Sequence, residues 1–290
     1  MPVVPGALCL YCAMSYRSHV NSVLRRATGY ELRKPRPAKR ATPSPAAPKP
    51  PAPTPKPAVD TRAQRIPKDF DESMAGIVRQ VLPYTMTSFD KLHATITAAR
   101  YVARYNIPGD VIECGVWRGG SMQAIALALD SMGDRDRHLY LYDTFEGMTP
   151  PTEQDVRHDG KSAAEALAAK ERSKDSMVWA YATLEDVQAG FENVPYPEDR
   201  IHYVKGPVEE TVPATLPDQV ALLRLDTDWY ASTAHELTHM YDRLVSGGVL
   251  MIDDYGHWQG SRQATDEFLE RTGEKLLLVR TGSGRIAVKP

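Results

Sequence analysis

A doubly wound α/β fold, with a mostly parallel sheet and a C-terminal antiparallel hairpin, is predicted by three features of this sequence. Short apolar strands alternate with amphipathic helices from Asp110 to Arg271, which is the pattern of a sheet covered by helices on both faces. Four of the strands end in an acid or a glycine, at Glu113-Cys-Gly115, Asp143, Asp226 and Asp253-Asp254. The turn Thr281-Gly-Ser-Gly284 sits between two strand-like runs and closes the chain as a hairpin.

The elements follow in order. Phe70 to Val81 and Ser88 to Tyr105 carry apolar residues at helical spacing. Pro108-Gly109 breaks the chain before a short buried strand, Asp110 to Gly115. Ser121 to Met132 reads as a helix and His138 to Asp143 as the second strand. Residues 162–175 and 183–192 read as helices around an irregular stretch. Ile201 to Lys205 is a third strand and Val208 to Ala214 a short helix. Val220 to Asp226, a helix from Ser232 to Leu244, and Gly248 to Asp253 continue the alternation. A helix from Ser261 to Arg271 precedes the hairpin strands Leu276 to Arg280 and Arg285 to Lys289.

Ahead of this body the composition changes. Residues 1–60 hold ten Lys or Arg and two acids, a charge of +8 against −2 for the whole chain, which leaves −10 on the remainder. Ten prolines fall between Pro35 and Pro57. Proline removes amide donors and fixes φ, so this stretch is expected to be an extended linker. Val20, Val23, Leu24 and Ala27 share one face of a predicted short helix, His19 to Glu31, flanked by Arg25 and Arg26. The predicted organisation is a basic amphipathic tail (1–33), a Pro-rich linker (34–65) and a folded body (66–290). A basic amphipathic helix suits an anionic membrane surface, and a weakly ordered tail is the plainer alternative. Met14 is a plausible true start.

Several classes are disfavoured. Three cysteines make no disulfide framework and suit a reducing cytoplasm, and the Cys9/Cys12 pair lacks the partners of a zinc site. No apolar run approaches the roughly 20 residues of a membrane span. Residues 3–16 lack the basic leader of a signal peptide. The expected location is cytoplasmic, with peripheral contact at the inner membrane face as an option. No aromatic residues are interleaved among the linker charges, so nucleic acid is not an expected partner. His235-Glu-Leu-Thr-His239 matches a zincin motif literally, but it lies inside the α/β alternation with no third ligand at protease spacing.

Two constellations carry chemistry. Glu113-Cys-Gly-Val-Trp-Arg-Gly-Gly-Ser121 follows a strand and opens a helix, where glycines admit a ligand close to the backbone. Asp143 ends the next strand, and a carboxylate there accepts hydrogen bonds from a vicinal diol. Together they read as a nucleoside-type site. The second constellation is Asp226 with Asp253 and Asp254. If their strands are neighbours, three carboxylates converge and repel unless a hard divalent cation such as Mg²⁺ joins them. Asp228 lies two residues on and suits a base. Helix capping is the competing explanation for such acids.

These residues resemble the macrocin O-methyltransferase family. The resemblance spans residues 81–289 and rests on Asp110 to Ser121, Leu141-Tyr-Asp-Thr-Phe-Glu-Gly-Met148, Leu223 to Tyr230 and Gly247 to Tyr255. It implies a class I, Rossmann-like methyltransferase that uses S-adenosylmethionine and Mg²⁺ to methylate a sugar hydroxyl in a glycosylated natural product or glycan. It implies a cofactor site of Glu113, Gly115, Trp117, Gly119, Ser121 and Asp143. The segment Tyr84 to Ser88, including Thr87, would close over the methionine end. Asp226, Asp253 and Asp254 would bind Mg²⁺, and Asp228 would be the general base. The expected partner is a small-molecule or glycolipid sugar acceptor, with a homo-oligomer as a further option. Two rivals stand beside this reading: a metal-dependent O-methyltransferase of catechols or other phenolics, and a non-catalytic methyltransferase-like binding module. The second predicts loss of strand-end acids, and all are present.

Overall fold

The computed structural model describes residues 61–290 together with residues 22, 23 and 25–28. The chain divides into two units, Met1–Lys56 and Pro57–Pro290. In the first, residues 22, 23 and 25–28 are α-helical, inside the predicted amphipathic stretch. The rest of that helix, the Cys9/Cys12 pair and the Pro-rich run up to Pro57 lie outside the described residues.

The second unit opens with a 3₁₀ turn, Thr61–Arg65. Arg62 secures it by donating to the carbonyl oxygens of Thr85, at 2.9 Å, and Leu82. This turn lies ahead of Ile66, inside the stretch expected to be linker. A side chain reaching backbone some twenty residues away leaves no periodic trace in sequence.

Helix α1 is Glu72–Val81, with Asp71 at its N-cap accepting from Met74 N at 2.7 Å. Helix α2 is Phe89–Arg104, capped by Ser88. Strand β1 (Asp110–Cys114), α3 (Gly120–Ser131), β2 (Leu139–Asp143), α4 (Ala163–Ala168) and α5 (Leu184–Phe191) follow. Then come β3 (Ile201–Lys205), α6 (Val208–Thr211), β4 (Val220–Leu225), α7 (Tyr230–Met240) and β5 (Leu244–Ile252). The chain ends with α8 (Gln259–Thr272), β6 (Val279–Thr281) and β7 (Gly284–Val288). The strand order is β3-β2-β1-β4-β5-β7-β6, with β1 to β5 parallel and β7 antiparallel to both neighbours.

Four expected elements change: the helix expected over Val208 to Ala214 ends at Thr211, the strand expected over Leu276 to Arg280 is Val279–Thr281, and two helices end early. The helix predicted to reach Leu244 stops at Met240, and a 3₁₀ turn at Tyr241–Arg243 leads straight into β5. Leu244 is buried as a strand residue paired with Val220, so tertiary pairing overrides helical spacing. The helix predicted over 162–175 is only Ala163–Ala168. The run Lys170-Glu-Arg-Ser-Lys-Asp175 offers no apolar face to bury, so nothing repays extending the helix.

The core has two sides, set by alternation along the strands. Val111 and Leu222 pack with α1, α2 and α3, whereas Ile112 and Leu223 pack with α7 and α8. Every residue of β4 is buried, including Arg224.

Arg137 ties the entry to the sheet. Its guanidinium donates to the carbonyl oxygens of Val102 (3.2 Å), Ile107 (2.6 Å) and Gly109 (2.5 Å), and pairs with Asp134. These bonds close the turn between α2 and β1. Arg137→Ala should lower the unfolding free energy by about 2–4 kcal/mol, because three partly buried carbonyls lose a charged donor at once. Urea denaturation of the full chain checks this, and a loss under about 0.5 kcal/mol would deny Arg137 that role.

Candidate active site

Parallel strands deliver their C-terminal ends to one edge of the sheet. Gly115 N donates to Tyr142 O, Asp226 N to Cys114 O and Asp253 N to Leu225 O, so β1, β2, β4 and β5 all end in one row. Glu113 pairs in register with Arg224, and Arg224 with Met251. Two residues on, the same sheet face presents Asp226 and Asp253.

Arg224 organises this row. It is fully buried and donates to Glu113 Oε1, to Asp226 Oδ2 at 2.7 Å and to Asp253 Oδ1. Lys91 reaches in from α2 and pairs with the other Asp253 oxygen. Burial opposes the Lys91 charge, but Asp253, Asp254 and Asp226 outweigh it and raise its pKa. Burial likewise works against Asp253, yet Arg224 and Lys91 hold its carboxyl below the usual range. Glu113 is pushed up to about 7 by burial despite Arg224.

The remaining carboxylates are less well matched. Among the described residues, Asp226, Asp228 and Asp254 present oxygens within 4.8 Å of one another. Asp254 Oδ2 is buried with no hydrogen-bond partner. Burial, then neighbouring carboxylates, hold Asp226 and Asp254 well above the usual range. Asp228 is pushed up to about 7 by burial, with the nearby acids adding to it and a hydrogen bond to Asp254 opposing. It also adopts a left-handed backbone, φ +70°, uncommon for aspartate. A set of crowded oxygens, one of them orphaned, fits a hard divalent cation. Of the four acids singled out in sequence, Asp226 and Asp254 belong to this open cluster, Asp253 is claimed by two cations, and Asp228 joins the cluster.

The glycine turn lies opposite. Asp143 accepts from Val116 N (2.8 Å) and Trp117 N (3.1 Å) through Oδ2, and from Phe145 N (2.7 Å) through Oδ1. Burial raises its pKa against those three amides. Gly115 has φ +79°, and a Cβ there would lie 2.1 Å from Asp226 O. Trp117 Nε1 is buried without a partner, an open donor beside the turn.

One cavity of about 620 Å³ joins both constellations, lined by Thr87, Gly115, Trp117, Asp143 and all four aspartates Asp226, Asp228, Asp253 and Asp254. Glu113, Gly119 and Ser121 stand behind its wall. Glu113 serves Arg224, Gly119 caps α3 with φ +78°, and Ser121 Oγ is 3.5 Å from Thr87 Oγ1. Sequence reasoning missed Lys91, which lies 162 residues from its partner Asp253. It also missed His257 and Trp258, which line the cavity just past Asp254. The zincin-like helix is structural. His235 Nε2 bonds Val212 O at 3.0 Å, and the buried Glu236 accepts from Thr227 Oγ1 at 2.9 Å.

This sheet order, with a nucleoside-type turn at β1 and an acid at β2, defines a class I S-adenosylmethionine-dependent methyltransferase. The chain belongs to the Macrocin-O-methyltransferase (TylF) family, whose profile matches residues 47–278 and so begins inside the Pro-rich run. It is 30% identical over 185 residues to the demethyldecarbamoylnovobiocin O-methyltransferase of Streptomyces niveus, covering 64% of this chain and 67% of that one. It is also 30% identical over 205 residues to the 8-demethyl-8-(2,3-dimethoxy-alpha-L-rhamnosyl)-tetracenomycin-C 4'-O-methyltransferase of Streptomyces olivaceus, covering 71% and 75%. The solved O-methyltransferase NovP superposes with a TM-score of 0.62 at 28% identity, over 71% of this chain and 82% of that one. The protein is thus an O-methyltransferase.

Arg224 generates a prediction with a pH signature. Arg224→Met should cost about 3–5 kcal/mol at neutral pH, since it leaves buried carboxylates uncompensated. Without the guanidinium, Glu113, Asp226 and Asp253 would have folded pKa values raised above their unfolded values of 4.5 and 3.8. A raised acid destabilises the folded state as pH climbs above the unfolded pKa. The deficit should therefore shrink toward pH 4 and widen toward pH 8. Urea titrations across that range test it, and a pH-independent deficit would contradict the electrostatic role.

Proposed function

We propose that this enzyme transfers the methyl group of S-adenosylmethionine to a sugar hydroxyl with the aid of Mg²⁺. The observation that carries the reading is the single cavity joining the Gly115–Asp143 turn to the aspartate cluster. The tetracenomycin relative is named for the 4' position of a rhamnosyl group, which supports a sugar as acceptor.

Asp143 would anchor the ribose through Oδ1, which accepts one backbone amide, while Oδ2 accepts two and orders the turn. The Trp117 indole and the Gly115 backbone would hold the adenosine, and Thr87 the methionine end. Asp226, Asp254 and Asp253 would hold the cation. Lys91, whose ammonium neutralises the same three acids, would share that electrostatic role with the cation. Mg²⁺ supplies the positive charge that makes a hydroxyl easier to ionise. Asp228, raised by burial, is suited to take the hydroxyl proton. The cavity walls orient the acceptor oxygen toward the methyl donor, and positioning accounts for much of the rate.

A phenolic acceptor is the second reading, favoured by Met148 and Trp258 lining the cavity. Mass spectrometry of products from rhamnosides, other glycosides and catechols decides between them. We also propose that the basic tail and Pro-rich linker localise the enzyme near an anionic surface, and that the body forms a homo-oligomer. No described helix is long and apolar enough to cross a membrane.

Three outcomes are expected. Calorimetry should show S-adenosylhomocysteine binding that weakens with Asp143→Ala, and no heat with folded protein would sink the cofactor assignment. Asp228→Asn should cut turnover roughly 10²- to 10⁴-fold while Mg²⁺ affinity is retained, whereas Asp253→Asn should weaken the metal. Loss of metal in Asp228→Asn alone would make Asp228 the ligand instead. A chain beginning at Asp60 should keep its activity and lose salt-sensitive sedimentation with anionic vesicles, each basic residue contributing about 1 kcal/mol there. Equal sedimentation of the two chains would exclude a tether.

A further inference from the structure

Beside the catalytic cavity lies a second one of about 380 Å³, lined by His158, His257, Arg280, Gly282, Ser283 and Arg285 among others. His257, Gly282 and Ser283 line both cavities, so one ligand can span them. Three separate chain segments build it. His158 N donates to His257 O at 3.0 Å, and Gly256 N to Ser283 O at 2.7 Å. The strap through His158, the turn after β5 and the β6–β7 turn are thereby held together.

Its charge is unusual for this protein. The sequence after residue 60 carries −10, yet no carboxylate lines this cavity. Arg280 Nε donates to Gly282 O and Arg285 Nη1 to Gly284 O, both at 2.8 Å. Neither guanidinium has an acidic partner among the described residues, so most of their donors remain for a ligand. Arg285 is also steadied by the Tyr255 ring, with its guanidinium 4.5 Å from the centroid. Arg157, on the wall of the catalytic cavity, is matched by Asp159 and is not counted. Asp253, at the end of β5, is already held by Arg224 and Lys91. Two arginines without acidic partners face one hollow and repel one another unless an anion enters, and the two histidines offer ring nitrogens for hydrogen bonds. The planar guanidinium fork favours phosphate oxygens.

We propose that this cavity binds a phosphate or pyrophosphate group esterified to the sugar acceptor, so that the enzyme methylates an activated, anionic sugar. The inference rests on the methyltransferase reading above and adds the acceptor's charge. The sugar hydroxyl would sit at the aspartates and the phosphoryl group at Arg280 and Arg285. A neutral glycoside would use only the first of these contacts.

The test uses the full chain without added metal, with dTDP-rhamnose, methyl α-rhamnoside and inorganic pyrophosphate as probes in calorimetry. The wild type should bind dTDP-rhamnose, and Arg280→Ala/Arg285→Ala should weaken it roughly tenfold or more. Methyl α-rhamnoside should bind no better to the wild type than to the variant. S-adenosylhomocysteine affinity should be unchanged in the variant, which shows that it folds and tests the cofactor reading separately. No binding of dTDP-rhamnose, or equal binding to both proteins, would overturn the proposal. Pyrophosphate binding as tight as dTDP-rhamnose would overturn the assignment to a sugar-linked group and leave a free-anion site.

Discussion

A guanidinium buried in the middle of a parallel sheet is the constraint around which this site is organised. Arg224 has no exposure, and its neighbours on β1 and β5, together with its own strand, supply Glu113, Asp253 and Asp226. Removing a charge from water is expensive, and such a group is tolerated only when fully paired. The carboxylates in turn depend on it. Their strands are parallel and adjacent, so their C-terminal acids are forced to one edge, where mutual repulsion would otherwise oppose folding. Lys91 adds a second cation from α2 and ties that helix to the sheet.

The arrangement divides the acids by role through environment rather than type. Asp253 meets two cations and is held ionised, whereas Asp228, buried among other acids, is raised to about 7. A carboxyl poised near neutrality exchanges protons readily at physiological pH. Asp143 shows a different economy. Its oxygens order the glycine turn by accepting from three backbone amides, and the residue still lines the cavity. The left-handed residues Gly115, Trp117 and Gly119 bend the chain around that carboxylate.

One wall of the cavity is built from a segment with little regular structure. Residues 149–183 form few regular elements, and α4 packs through Ala163 and Leu167 on Trp229 and Trp258. Those two indoles meet edge to face at 5.1 Å. This small second core braces a wall over the cavity, with Met177 and Val178 exposed at its rim. The sheet thus carries the acidic row, and a separately braced loop walls the cavity above it.

The sheet, its parallel order and its acidic edge were legible in the sequence because they rest on local signals. Alternating strand and helix periods locate β1 to β5, and the Thr281–Gly284 turn locates the hairpin. Apolar spacing placed the helix from Ser88, and the structure shows that residue as the cap of α2. Asp143, Asp226, Asp253 and Asp254 could be named because a residue ending a parallel strand must lie at the ligand edge. What the sequence left open was pairing. Lys91 and Asp253 are 162 residues apart, and Arg62 reaches carbonyls 20 and 23 residues away. The helix expected to reach Leu244 ended early because β4 claims that residue for the sheet. The basic cavity of Arg280 and Arg285 exists only because the hairpin folds back beside His158 and His257. Backbone periodicity is set within a few residues and survives in the linear order. The partner of a charge is set by which surfaces meet when the core closes, and only the tertiary structure decides that.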